Sequence, residues 1–103
     1  MFMHFSNFIL VQAMKVQYEI VVHGRVQGVG FRAAARNRAR LLDLKGWVEN
    51  CPDGTVRCLV CGTTENCSSF IHWCREGSGY SWVEKLDIHE MSPGKLKAFT
   101  IKY

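Results

Sequence analysis

Lys15-Val-Gln-Tyr-Glu-Ile-Val-Val-His23, followed at once by Gly24-Arg-Val-Gln-Gly-Val-Gly-Phe-Arg32, is the stretch on which the fold turns. In its first half Val16, Tyr18, Ile20 and Val22 alternate with Gln17, Glu19, Val21 and His23, the period of a strand with one face in a core. Glycines at 24, 28 and 30 then break the alternation. Beyond them the period changes. Phe31, Ala35, Ala39 and Leu42 share one side of a helix predicted over Phe31–Leu44, with arginines on the other side.

Working outward, Trp47–Asn50 reads as a second strand, and Cys51-Pro-Asp-Gly54 places Pro, Asp and Gly at turn positions. Thr55–Cys61 should therefore return as its antiparallel partner. In Thr64–Glu76, Cys67, Phe70, Ile71 and Cys74 stand at i, i+3, i+4 and i+7, which predicts a second helix stopped by Gly77. Trp82–Met91 and Lys97–Tyr103 are two closing strands around Ser92-Pro-Gly94. The order is βαββαβ with an extra C-terminal strand. It predicts an α+β, ferredoxin-like sandwich, with two helices on one face of an antiparallel-rich sheet.

A chain of 103 residues, 48% apolar and 21% charged, supports one domain and excludes both a multidomain enzyme and a disordered polyelectrolyte. Its net charge of +4 is uneven: Lys15 to Lys45 holds seven basic and two acidic residues. Such a field suits an anionic partner, although a solvated basic helix face has the same composition. The five cysteines are an odd number and read as reduced thiols, consistent with a cytoplasmic protein. Cys58 and Cys61 have C-x-x-C spacing, but on a strand they face opposite sides, and no second pair follows. Residues 1–14 carry no charge and are too short for a membrane span, so they are expected to be a non-conforming extension before a domain over 15–103.

The glycine loop is where chemistry is expected. Helices normally begin with Ser, Thr, Asp or Asn, whose side chains accept the first unpaired N–H groups. None of these occurs between Gly24 and Arg36, and Gln27 is the only nearby substitute. Glycines 28 and 30 allow successive N–H groups to turn toward one point. Arg32 adds a cation in the first helical turn, where the helix dipole disfavours one. A bound phosphate between them accounts for both features. The plainer alternative is a loop that merely turns, with Arg32 in water. The phosphate loop G-x-x-x-x-G-K-[ST] is excluded because no Lys-Ser/Thr follows. Gly28-Val-Gly-Phe-Arg-Ala33 does match G-x-G-x-x-A, but the hairpin and the chain length exclude a dinucleotide fold.

Gly24–Arg32, together with Gly46-Trp-Val-Glu-Asn50 and Asp53-Gly-Thr-Val56, resembles the acylphosphatase family, over about residues 15–103. Phe70, Trp73, Gly77 and Phe99-Thr-Ile101 fit the later hydrophobic pattern of that family. The resemblance implies that Gln27, Gly28, Val29, Gly30 and Phe31 form a backbone cradle for phosphate. It also implies that Arg32 grips the phosphoryl oxygens and Asn50 holds the attacking water. Two positions depart from the pattern. Asp43 stands where a glycine often ends the first helix, and Arg57 where an acidic residue is common.

The implied reaction is hydrolysis of the carboxyl–phosphate bond of a small acyl phosphate to carboxylate and inorganic phosphate. A mixed anhydride needs positioning and charge stabilisation more than a strong base. No His, Cys or carboxylate belongs to either motif, so a substrate phosphate oxygen is expected to take the water's proton. No metal or cofactor is expected, nor a nucleic-acid or membrane partner, and the chain is expected to act as a monomer. His23 reads as a surface residue, and Trp47, Trp73 and Trp82 as residues of the core or its rim. Two other classes share these features. One is a nucleic-acid module, which lacks here the aromatic RNA-binding strand signature; the other binds acyl or carbamoyl phosphate without turnover.

Overall fold

The computed structural model describes residues 14–103, so all of the 1–14 extension except Met14 lies outside the described residues. The elements are β1 (Lys15–Arg25), α1 (Phe31–Leu41), β2 (Lys45–Asn50), β3 (Val56–Thr63), α2 (Thr64–Glu76), β4 (Trp82–Met91) and β5 (Thr100–Ile101). They form one five-stranded sheet in the order β4-β1-β3-β2-β5. All neighbours are antiparallel except β2 and β5, which run parallel. This is the α+β ferredoxin-like arrangement expected, with the extra strand at the β2 edge.

The alternation of β1 sends Ile20 and Val22 into the core with Val48 of β2 and Val56, Cys58 and Val60 of β3. Phe31, Ala35 and Ala39 of α1 and Cys67, Phe70 and Cys74 of α2 pack against them. Burial pushes the Cys58 thiol up to about 12 and the Cys67 thiol to about 11, so these cysteines behave as small apolar residues. Cys58 belongs to the core cluster, whereas Cys61 lines a cleft elsewhere.

Five boundaries differ from the sequence reading: β1 runs on to Arg25 past His23, β3 is Val56–Thr63 rather than Thr55–Cys61, and three others follow. Helix α1 ends at Leu41, not Leu44, because Asp43 turns left-handed at φ 54°. Leu44 N–H then donates to Ala39 O and Asp43 N–H to Arg40 O, the bond pair of a Schellman stop, with buried Leu44 as its apolar contact. Strand β2 starts two residues before Trp47, at Lys45. Strand β5 is only Thr100–Ile101, preceded by a strap that carries an isolated bridge from Ala98 to Lys45.

That strap also buries a residue that alternation assigns to the polar face. Gln17 is only 5% exposed, and its Oε1 accepts from Gly94 N–H at 2.7 Å. Trp82 departs in the other direction: at 63% exposed it is not part of the core. Trp73 does pack there, with ring centroids 5.4 Å from Phe31 and 5.7 Å from Phe70. Trp47 lies half-buried between Arg57 and Lys102, whose cationic groups are 5.2 and 4.7 Å from its ring centre. Arg57 also reaches Glu19 at 2.9 Å and Glu49 at 3.8 Å, so its unusual charge is matched on both neighbouring strands.

Candidate active site

The loop between β1 and α1 is fixed at both ends and open in the middle. Val26 and Phe31 are buried in the core, and Val29 packs against it. Between them Gly28 and Gly30 adopt left-handed backbones, with φ 73° and 80°. A Cβ at either position would meet no atom within 4 Å, so the glycines serve the backbone turn and leave the space above it free. Gly30 is the residue before α1 and makes no side-chain cap, and the first turn holds no acidic residue. The first hydrogen bond at this end is from Ala34 N–H to Gly30 O at 3.1 Å. The N–H groups of the first turn ahead of it have no acceptor within the helix, and the dipole adds positive potential there.

Arg32 stands in that turn. No carboxylate pairs with it among the described residues. Its guanidinium lies 5.2 Å from the ring centre of Tyr103, which is 95% exposed. Arg32, Gly28, Gly30, Ile101 and Tyr103 line one cavity of about 170 Å³. The parallel pairing of β5 with β2 brings the chain end here, and Lys102 N–H secures it by donating to Val48 O at 2.8 Å. Tyr103 had no signal in the local sequence; only the sheet order reveals it.

Asn50 ends β2 opposite Val56, at the head of the β2–β3 turn. Its Oδ1 is buried and has no hydrogen-bond partner among the described residues. An amide oxygen in that state is an acceptor held ready at a cost of about 1–3 kcal/mol, which a donor from outside the protein would relieve. The turn itself is closed by hydrogen bonds of its own. Gly54 N–H donates to Cys51 O, and Asp53 Oδ1 accepts from both the N–H and the hydroxyl of Thr55. Those two bonds hold the Asp53 carboxyl below its ordinary pKa.

Gln27 joins the two halves. It does not cap α1. Its Nε2 donates to Cys51 O and to Thr55 O, both at 2.8 Å, clamping the glycine loop to the turn that follows Asn50. The sequence marked Gln27 as the nearest substitute cap and as part of a cradle, and missed this clamp. His23 is half-buried and bonds to Asp87 at 2.8 Å, outside this cavity.

The family model described as Acylphosphatase matches residues 18–101, so it includes the glycine loop, Arg32 and Asn50. The chain belongs to the acylphosphatase family. An acylphosphatase from Chloroflexus aurantiacus is 42% identical over 87 residues, covering 84% of this chain and 95% of that one. One from Anaeromyxobacter dehalogenans is 40% identical over 92 residues, covering 88% and 99%. The crystal structure of an acylphosphatase from Bacillus subtilis superposes with a TM-score of 0.83 at 39% identity, over 85% of this chain and 99% of that chain. Acylphosphatase membership and the enzyme class expected from the two motifs are thus both met. Among the described residues no helix is long and apolar enough to cross a membrane.

Proposed function

We propose that the chain hydrolyses the carboxyl–phosphate anhydride of small acyl phosphates, with Arg32 and Asn50 as its catalytic residues and Gln27–Phe31 as the phosphate cradle. The carrying observation is that an uncapped helix start and an unpaired guanidinium share one small cavity. The planar guanidinium grips two phosphoryl oxygens, while the turned loop amides receive the rest of the charge. Asn50 Oδ1 accepts from the attacking water and its amide N–H donates to a phosphoryl oxygen. Water adds to phosphorus in line with the departing carboxylate, and its proton passes to a phosphoryl oxygen of the substrate. The carboxylate leaves with the bonding pair, and inorganic phosphate remains in the cradle.

The reading extends to residues 15–103 as the catalytic unit, acting as a cytoplasmic monomer, with 1–14 as a dispensable extension. Steady-state hydrolysis of benzoyl phosphate in the presence of EDTA tests it. Turnover should persist, and inorganic phosphate should compete with substrate because both occupy the same cradle. Noncompetitive inhibition, or activity that returns only with added Mg²⁺ or Zn²⁺, would contradict it.

A further inference from the structure

At the end of the sheet remote from the cradle, a cleft of about 440 Å³ opens between the starts of β1 and β2, the end of β3 and the strap. Lys15, Lys45 and Lys95 line it against a single carboxylate, that of Asp43. None of the three lysines makes an ion pair among the described residues. Like charges gathered around a concave wall repel one another and focus a positive field into the space between them. That repulsion is relieved when an anion enters.

The backbones that carry these lysines are fixed. Lys15 pairs with Thr63 in the β1–β3 ladder, and Lys45 pairs with Cys61 on one side and bridges to Ala98 on the other. Lys95 lies on the strap between two anchors, Gly94 N–H on buried Gln17 Oε1 at 2.7 Å and Lys97 O on Gly46 N–H at 3.1 Å. The strap is thus held at one end by the buried amide of Gln17 and at the other by the backbone of Gly46. Asn66, in the first turn of α2, adds a polar side chain to the lining. The cleft shares no residue with the cradle cavity. The 11 residues of β1 separate the two, roughly 30 Å at the usual rise per residue.

We propose that this cleft is a second anion site, taking a compact polyanion of the polyphosphate class whose several charges can answer three lysines lining one space of about 440 Å³. Among the described residues no aromatic ring lines it, so the polyphosphate carries the recognition and an attached nucleoside adds nothing. The inference does not depend on the chemistry assigned to the cradle.

The test is a ¹⁵N NMR titration of the full chain at low ionic strength with inorganic tripolyphosphate, with ATP and inorganic phosphate as separate arms. Tripolyphosphate should shift the amides of Gly62, Asn66, Gly94 and Lys95 saturably, and ATP should bind no more tightly. Inorganic phosphate should act first on Gly28–Ala33. Replacing two of the three charges, by Lys45→Gln with Lys95→Gln, should weaken tripolyphosphate at the cleft about tenfold or more while the phosphate response of the loop stays. Lys95→Gln alone should give an intermediate loss. Shifts confined to Gly28–Ala33, unsaturable shifts spread over Arg36, Arg38 and Arg40, or unchanged affinity in the double variant would each overturn the proposal.

Discussion

Replacing Gln27 by alanine removes a side chain that touches both halves of the site without reaching the phosphorus itself. Its Nε2 makes two bonds of 2.8 Å, to Cys51 O and Thr55 O. Each carbonyl keeps another donor: Gly54 N–H on Cys51 O and Cys51 N–H on Thr55 O. Neither acceptor is orphaned, so the loss is that of two ordinary hydrogen bonds, about 2 kcal/mol. For a domain of this size that lowers Tm by roughly 8–16 °C. Catalysis should suffer separately, because the clamp sets the distance between the glycine loop and the turn that carries Asn50. A shift of even 1 Å between them should cut kcat about tenfold or more, with a smaller change in the inhibition constant of phosphate, which the loop amides and Arg32 hold. Gln27→Glu, of nearly the same shape, should do worse near neutral pH, since its carboxylate faces two carbonyl oxygens with no proton to donate. Thermal melts and benzoyl phosphate kinetics on the three proteins decide the matter. If Gln27→Ala melts with the wild type and keeps its kcat, the clamp reasoning is wrong.

Three further outcomes follow from the same geometry. Asn50→Ala should lower kcat about 10²-fold with little change in phosphate affinity, and Asn50→Asp should do no better, since it places a negative charge beside an anionic substrate; a folded Asn50→Ala with full kcat and weakened binding would make Asn50 a phosphate ligand instead. Asp43→Gly, at the left-handed stop of α1, should raise stability by about 0.5–1 kcal/mol in urea melts, and no gain would mean that the Asp43 side chain offsets its own backbone cost. Asp87 has its pKa lowered, first by the hydrogen bond from His23, so its contribution is complete above the ordinary carboxylate value of 3.8 and is lost as pH falls through the lowered one; Asp87→Asn should therefore flatten the decline of Tm on acidification below that value.

The elements most legible in the sequence were those whose periodicity also met a chemical stop. Helix α2 runs from Thr64 to Glu76 as its spacing indicated, because Thr63 caps one end and Gly77 closes the other. Helix α1 was read too long because Leu42 and Leu44 continue an apolar pattern while Asp43, a residue seldom left-handed, ends the helix. The strap could not be read at all: Gln17 looks like a solvent-facing residue of β1, and only Gly94, far along the chain, explains its burial. At the site, the missing cap and the cation of Arg32 in the first helical turn were local facts and so were visible. The Gln27 clamp and Tyr103 depend on sheet order, which brings distant segments together without marking either one.

The role proposed for the Arg32 guanidinium, which lines the cavity at the uncapped start of α1, is to grip the phosphoryl group by two prongs. Its most direct test is kcat/KM for benzoyl phosphate in folded Arg32→Lys beside Arg32→Ala. An ammonium keeps the charge but cannot make the two-pronged contact, so the lysine variant should recover little of the activity lost in the alanine variant. Near-wild-type turnover in Arg32→Lys would contradict the account.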